Sequence, residues 1–530
     1  MQPTSDKQGT TRAVLDLPYR WFRNIIRIQE KRAFSIYAVL LFCTFVGIAR
    51  VMGEWFLGAQ DLGNVIAELI GYSVFYWYSF FTFGLILFLL VPQPWRISIN
   101  VILIGIFLGV LPPLFDLLIY DLGTIRYTYF WSFPTGWNFW IYNPDYHFHF
   151  GETIVLWMTI FLTPAYVAYK TRSIPRTVIA AVLAYGVVGF NGGVLPSTLR
   201  SLQNALGWDF GHLFYMMLTA QIGITVLLYI LFQPGLRRGL LSRTHHSLPF
   251  VMMSLLGAAL VGELSVQSFW YAALVWFMFQ TALVQNDYYD TTEDSFQGRE
   301  PYADLEDVRF FTVTALMLVF AVLFANSAAG MMLLMILVLS FLYSYPFYRG
   351  KRYFPSNLKI EGGWGLAAFI TGMIGALEFG IHDAPRWMSS MGDPDLFHRS
   401  PGTPGWGAIT ACLLVFGGHS MLAIFKDYKD MDADRHGGIH TVYTLAARGG
   451  VDPQRIHRVL AVITLACLPL PLVLLYAAGL LGGFWALGGF LCVAAIGTVI
   501  FDLREKRKFD MFLWAMTGYL FYLLVALVAS

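Results

Sequence analysis

Two short stretches place carboxylates where they could act together. In NDYYDTTED, Asn286 to Asp294, the residues Asp287, Asp290 and Asp294 are spaced by three and four, which at about 100° per residue puts them on one helical face. In KDYKDMDADRHGG the same spacing recurs at Asp427, Asp430 and Asp434, and each stretch directly follows an apolar run. Carboxylates this crowded repel one another and hold on to protons unless a cation neutralises them. Hard divalent cations with oxygen ligands are the natural partners, magnesium above all where a phosphate completes its shell. One acidic run alone would read as a solvated cap on a transmembrane helix; two copies of one spacing favour a site.

A calcium loop is the nearest rival. Asp430, Asp432 and Asp434 match the first, third and fifth positions of an EF-hand, but the sixth is Arg435 where glycine makes the turn, and the twelfth is Thr441 where a bidentate Glu is needed. Calcium sensing is set aside on those two positions.

The pair of motifs resembles that of the UbiA superfamily of intramembrane prenyltransferases. Asn286, Asp287, Asp290 and Asp294 follow the pattern NDxxDxxxD, and Arg299 stands where the family usually has an arginine. Asp427, Asp430 and Asp434 are followed by Gly438 and Thr441 in GGIHT, similar to the family's glycine and threonine, and YSYPFYRGKRYFPSN resembles its tyrosine, proline and basic loop. The resemblance implies two magnesium ions and a prenyl diphosphate held between two acidic helices. Asn286, Asp287, Asp290, Asp294, Asp427, Asp430 and Asp434 would be the metal ligands, with Asp290, Asp294, Asp430 and Asp434 the catalytic carboxylates. Asn286, Arg299, Arg349, Lys351, Arg352, Tyr343 and Tyr345 would bind the diphosphate.

Two of these assignments have plain alternatives in the residues themselves. Arg349, Lys351 and Arg352 read equally well as a cytoplasmic basic loop, and Tyr288, Tyr343 and Tyr345, which could face an allylic cation, as interfacial anchors. The chain also departs from the family. After Arg299 many members continue with Arg-Pro-Leu, whereas this chain reads EPYADLEDVR, and the first helix of its second half offers HHSLPF where an Arg-Pro start is common.

The elements that must position these residues are membrane spans. Of 530 residues 57% are hydrophobic and only 13% charged, which excludes an ordinary soluble domain and defines a polytopic, all-α membrane protein. A net charge of +2 without a basic tract gives no support to nucleic-acid binding; membrane lipids are the surroundings to expect. Cys43, Cys412, Cys467 and Cys492 lie in or beside apolar runs without metal-ligand spacing and read as packing residues.

Residues 1–33 form a polar, basic N-terminal segment, part of which suits a helix at the membrane surface. No cleavable signal is apparent, and the run from Phe34 reads as a signal anchor. Six apolar runs of membrane length follow in a first domain, 34–236, centred near Cys43, Phe81, Phe107, Phe161, Leu183 and Gln221. Arg237, Arg238 and Arg243 in QPGLRRGLLSRTHH read as a basic linker. A UbiA-like second domain, 244–530, holds nine runs, centred near Leu256, Trp276, Met317, Met335, Phe369, Val415, Leu465, Leu491 and Tyr519. Nine is the helix number the resemblance implies, and the total is about fifteen.

Threading fifteen spans with the N-terminus inside leaves only Arg50, Arg126, Arg200, Arg386 and Arg399 of the 35 Lys and Arg residues outside. That asymmetry places both acid clusters at the cytoplasmic face and the C-terminus outside. The aromatic stretch from Asp121 to Glu152 reads as an external interfacial segment. Its His147, His149 and Glu152 form no convincing metal set, and His245 and His246 read as residues bordering the headgroups.

The function expected is magnesium-dependent transfer of a prenyl group from a prenyl diphosphate to a lipophilic acceptor. A terpene cyclase of the same fold is the alternative within the class. A transporter or membrane scaffold is the alternative outside it, less favoured because the acids lie at helix ends beside basic loops and not at mid-membrane.

Overall fold

The computed structural model describes residues 23–31, 34–57, 65–119, 150–190, 195, 198, 201, 204, 210–261, 264–290, 300–346, 348–376 and 406–529. They divide into two compact units, 1–233 and 234–530. Among the described residues the fold is helical, and its one β-type contact is an isolated parallel bridge between Tyr353 and His440. All fifteen span centres expected from the sequence lie on helices. Among the described residues eight spans are long and apolar enough to cross a membrane, and three further apolar helices, Ile174–Gly189, Met217–Phe232 and Gly483–Val499, are shorter.

The first unit contains α1 (Ile36–Leu57), α2 (Val65–Leu90), α3 (Trp95–Asp116), α4 (Phe150–Thr171), α5 (Ile174–Gly189) and α6 (Phe210–Phe232). In α3 a 3-10 turn at Phe107–Val110 precedes Pro112 and Pro113, where the missing N–H groups interrupt the α-helical ladder. Apolar packing of Leu87, Val91, Val101, Val167 and Ala180 joins α2 to α5. Inside this apolar unit Arg50 and Glu54 form an ion pair on α1, Arg50 Nη2 reaches Glu152 on α4 at 2.7 Å, and the Tyr72 hydroxyl donates to Glu54 at 2.8 Å. Arg50 and Glu54 are both buried, so each depends on the other for its charge. His147 and His149 lie outside the described residues.

The second unit contains α7 (Pro234–Val261), α8 (Val266–Tyr289), α9 (Leu305–Ala325), α10 (Ser327–Ser344), α11 (Ser356–Ala376), α12 (Trp406–His436), α13 (Val442–Arg448), α14 (Pro453–Ala477), α15 (Gly483–Val499) and α16 (Lys506–Ala529). Side chains start these helices: Ser265 and Ser268 form a capping box on α8, Asp304 and Asp307 one on α9, and Thr441 and Thr444 one on α13. α7 and α11 touch backbone to backbone. A Cβ on Gly372 would stand 1.7 Å from the Ser254 carbonyl oxygen, and one on Gly257 2.1 Å from that of Phe369, so both positions require glycine.

The stretch read as a basic linker is helical. Arg237, Arg238 and Arg243 lie in the first turns of α7, where Leu236, Gly239 and Leu240 are buried at spacings of three and four. Helical periodicity with buried apolar positions runs through the charges, and no proline interrupts it until Pro249.

Candidate active site

α8 and α12 carry the two acid motifs at their C-terminal ends. α8 stops at Asp290, whose backbone N–H donates to the Asn286 carbonyl. α12 is 31 residues long, about 46 Å at 1.5 Å per residue, so its charged final turns extend past the apolar part at 406–425. It ends where Gly438 takes a φ of +68°, a left-handed turn that favours glycine, before Thr441 starts α13. Asp294 and Arg299 lie outside the described residues.

Among the described residues, both carboxylates of the first motif, Asp287 and Asp290, meet a cation. Asp287 is buried; its Oδ1 pairs with Arg243 Nη2 at 2.9 Å, and its Oδ2 accepts the backbone N–H groups of Tyr302 and Ala303 at 2.8 and 3.1 Å. It thereby fastens the segment leading into α9 to the end of α8, with the Arg243 guanidinium 5.0 Å from the centre of the Tyr302 ring. Asp290 is paired with Lys351, and Arg349 Nη2 lies 3.4 Å from its Oδ1. The basic loop between α10 and α11 therefore closes on the first motif through Asp290. The Arg352 carbonyl accepts the His440 N–H at 2.9 Å, tying the same loop to the turn after the second motif.

In the second motif Asp427 Oδ2 accepts from Asn357 Nδ2 on α11 at 2.8 Å, and Asp430 lies 3.4 Å from Lys429 Nζ. Asp434 is buried. Beyond the apolar part of α12, desolvation and then the neighbouring Asp434 push the Asp427 carboxyl well above the usual carboxylate range; Glu361 and Asp430 add to the rise and Lys426 opposes it. This excess of negative charge on hard oxygen donors suits a divalent cation, so the second motif fits magnesium. At the first motif a metal would share Asp290 with Lys351 and Arg349.

Among the described residues the aspartates of the two motifs do not form a group of three with ligand atoms within 4.8 Å of one another. The group that does is His245, His246 and Asp510, with His245 Nε2 3.3 Å from Asp510 Oδ1. These histidines, read from sequence as bordering headgroups, are half-buried and pack against α16, His245 on Trp514 and His246 on Phe509.

A cavity opens beside the motifs, lined by Asn286, Tyr343, Glu361 and Lys426 and, further in, by Phe250, Phe279, Trp364 and His419. Lys426 Nζ donates to the Tyr343 hydroxyl at 2.9 Å and lies 3.7 Å from Glu361; the Tyr343 and Trp364 rings are 5.0 Å apart. Of the tyrosines singled out from sequence, Tyr343 is buried and lines this cavity. Tyr345 is 42% exposed and packs edge-on against Tyr289, and Tyr288 lies beside Tyr289 as well, so neither joins the lining. Sequence reading missed Asn357, Glu361, Lys426 and His419. Arg243 and His246 were noticed but given no site role, and Lys426, immediately before Asp427, was a further legible signal.

Charged helix ends lie around a basic loop, beside an aromatic cavity in a bundle of membrane-length helices. Residues 305–525 are similar to the UbiA prenyltransferase family; the first acid motif precedes the matched segment. Two solved structures are similar to the chain. A digeranylgeranylglyceryl phosphate synthase is 17% identical, covering 56% of this chain and 100% of that one at a TM-score of 0.37. A UbiA homologue from Archaeoglobus fulgidus bound to DMAPP and Mg2+ is 12% identical, covering 54% and 97% at 0.38. No curated protein matches the chain.

Proposed function

We propose that the second unit transfers a prenyl group from a prenyl diphosphate to a lipophilic acceptor in the membrane. The observation that carries this reading is the Asp290–Lys351 pair. It joins the first acid motif to a basic loop that is itself bonded, through Arg352 and His440, to the turn after the second. The family match over 305–525 supports the reaction class, and the homologue that binds DMAPP and Mg2+ agrees with the donor and the metal.

Asp427, Asp430 and Asp434 would hold one magnesium ion, and Asn286 and Asp290, with Asp294, a second. Bound there, magnesium supplies the Lewis acidity that stabilises a departing diphosphate. Lys351 and Arg349 bind the diphosphate oxygens, with Arg352 and Arg299 as further basic groups. Asp287, which the family resemblance implied to be a metal ligand, has both oxygens engaged by Arg243 and two backbone N–H groups, and on this reading positions the end of α8 instead. The Tyr343 and Trp364 faces stabilise the allylic cation without attacking it, and the apolar walls exclude water. Catalysis on this reading resides in residues 244–530, with the acid motifs on the cytoplasmic side.

The test is incubation of the purified protein with labelled prenyl diphosphates of different chain length and a membrane lipid extract, with and without magnesium. Metal-dependent appearance of label in a lipid product supports prenyl transfer. Label recovered only as a cyclised hydrocarbon assigns the cyclase reaction, and no consumption of diphosphate rules out both.

A further inference from the structure

His419 is the polar side chain that the cavity leaves unsatisfied. It is 1% exposed, it lines the cavity, and neither ring nitrogen has a hydrogen-bond partner. A loose approach to the Val415 carbonyl one turn earlier on α12 would engage one nitrogen at most, leaving the other open. The ring is also fixed in place. Phe250 lies 4.7 Å away at 40°, and on the opposite helix Gly365 leaves the space the imidazole fills, since a Cβ there would stand 2.4 Å from the ring. Burying a polar group without a partner costs about 1–3 kcal/mol. A rigid pocket that keeps such a group open to a cavity is suited to a guest that supplies the bond.

The guest's chemistry follows from the walls. Around His419 stand Phe250, Phe279, Trp364 and Leu422, so its body is apolar, with one oxygen in reach of the imidazole. His419 lies two turns before Lys426 on α12, about 10 Å deeper along the helix axis than the charged end. A prenyl chain is a hydrocarbon and offers the imidazole nothing. We infer that His419 positions the acceptor, and that the acceptor is a lipophilic alcohol or phenol whose hydroxyl bonds the free ring nitrogen within the cavity. The inference rests on the prenyl-transfer reading and deepens it by naming the acceptor class. His419 is a positioning residue: it selects and orients the acceptor and takes no part in diphosphate departure.

The full-length protein in liposomes would be given labelled geranylgeranyl diphosphate, magnesium and a total membrane lipid extract, used either untreated or with its hydroxyls acetylated. Wild-type protein should transfer label to the untreated extract and lose that transfer on acetylation. His419→Phe keeps the ring volume and should raise the half-saturating extract concentration about tenfold or more, a larger change than in kcat. His419→Asn, which retains a donor and an acceptor, should recover most of the difference. Equal use of both extracts by the wild type, or an unchanged half-saturating concentration in His419→Phe, overturns the proposal.

A binding measurement separates this failure from failure of prenyl transfer itself. Geranylgeraniol should raise the melting temperature of the wild type more than phytane does, and His419→Phe should lose that difference. If the wild type does not discriminate between the two probes, His419 holds no hydroxyl, whatever reaction the protein catalyses.

Discussion

Arg243 Nη2 stands 2.9 Å from Asp287 Oδ1, so a cation at the start of one membrane helix neutralises the first carboxylate of an acid motif at the end of the next. Asp287 is 1% exposed and Arg243 22%, which makes the carboxylate the member that cannot turn to water. Arg243→Ala should therefore destabilise the second unit by about 2–4 kcal/mol, chiefly by leaving a buried charge uncompensated. Arg243→Ala combined with Asp287→Asn should recover much of that loss. Denaturant melts of the single and double variants measure the coupling; additive effects would mean that the pair is not formed.

On the proposed reading Asp290→Ala and Asp430→Ala should each lower magnesium-dependent diphosphate release at least about a hundredfold with the helical circular-dichroism signal preserved, since each would remove a ligand from one of the two proposed metal sites. EDTA should abolish the wild-type rate and added magnesium restore it. Wild-type turnover in both variants would show that the two-helix metal site is wrong.

In the first unit, Glu54 accepts from both Arg50 and Tyr72. Glu54→Leu should cost that unit about 3–5 kcal/mol, because Arg50 keeps its buried charge and loses its nearest partner. Replacing Arg50 by Met at the same time should be milder than the single change. Thermal unfolding followed by limited proteolysis of the first unit reads the order; a single variant as stable as wild type would exclude a structural role for the pair.

Cysteine accessibility tests the orientation drawn from charge. Single cysteines near Lys429 and Glu505 should react with a membrane-impermeant thiol reagent from the cytoplasmic side, and one near Asp393 only from the opposite side. Labelling of the Lys429 and Asp393 positions from one side would refute the fifteen-span threading.

Much of the fold was legible because hydropathy is a local property. A run such as IYAVLLFCTFVGIARVMGEWFL in α1 must be a membrane-length helix wherever it packs, since unpaired backbone groups in lipid cost several kcal/mol each. The basic stretch around Arg237 misled for the converse reason. Its charges suggested a linker, but Leu236 and Leu240 find an interior face that only packing provides, and the helix continues through them.

The same division runs through the site. Sequence alone determined that Asp287 and Asp290, and again Asp427, Asp430 and Asp434, share a face at a helix end, because the helical repeat sets that geometry within a few residues. Only the tertiary structure decided that Arg243 answers Asp287, that Lys351 and Arg349 answer Asp290, and that Asn357 holds Asp427. It also decided that Tyr343 enters the cavity while Tyr345 stays at its edge, and that His419 stands open within it. Partners of a charge or a ring nitrogen are chosen by which helices pack together, and in this unit close approaches such as Gly257 and Gly372 set that choice between residues far apart in the chain.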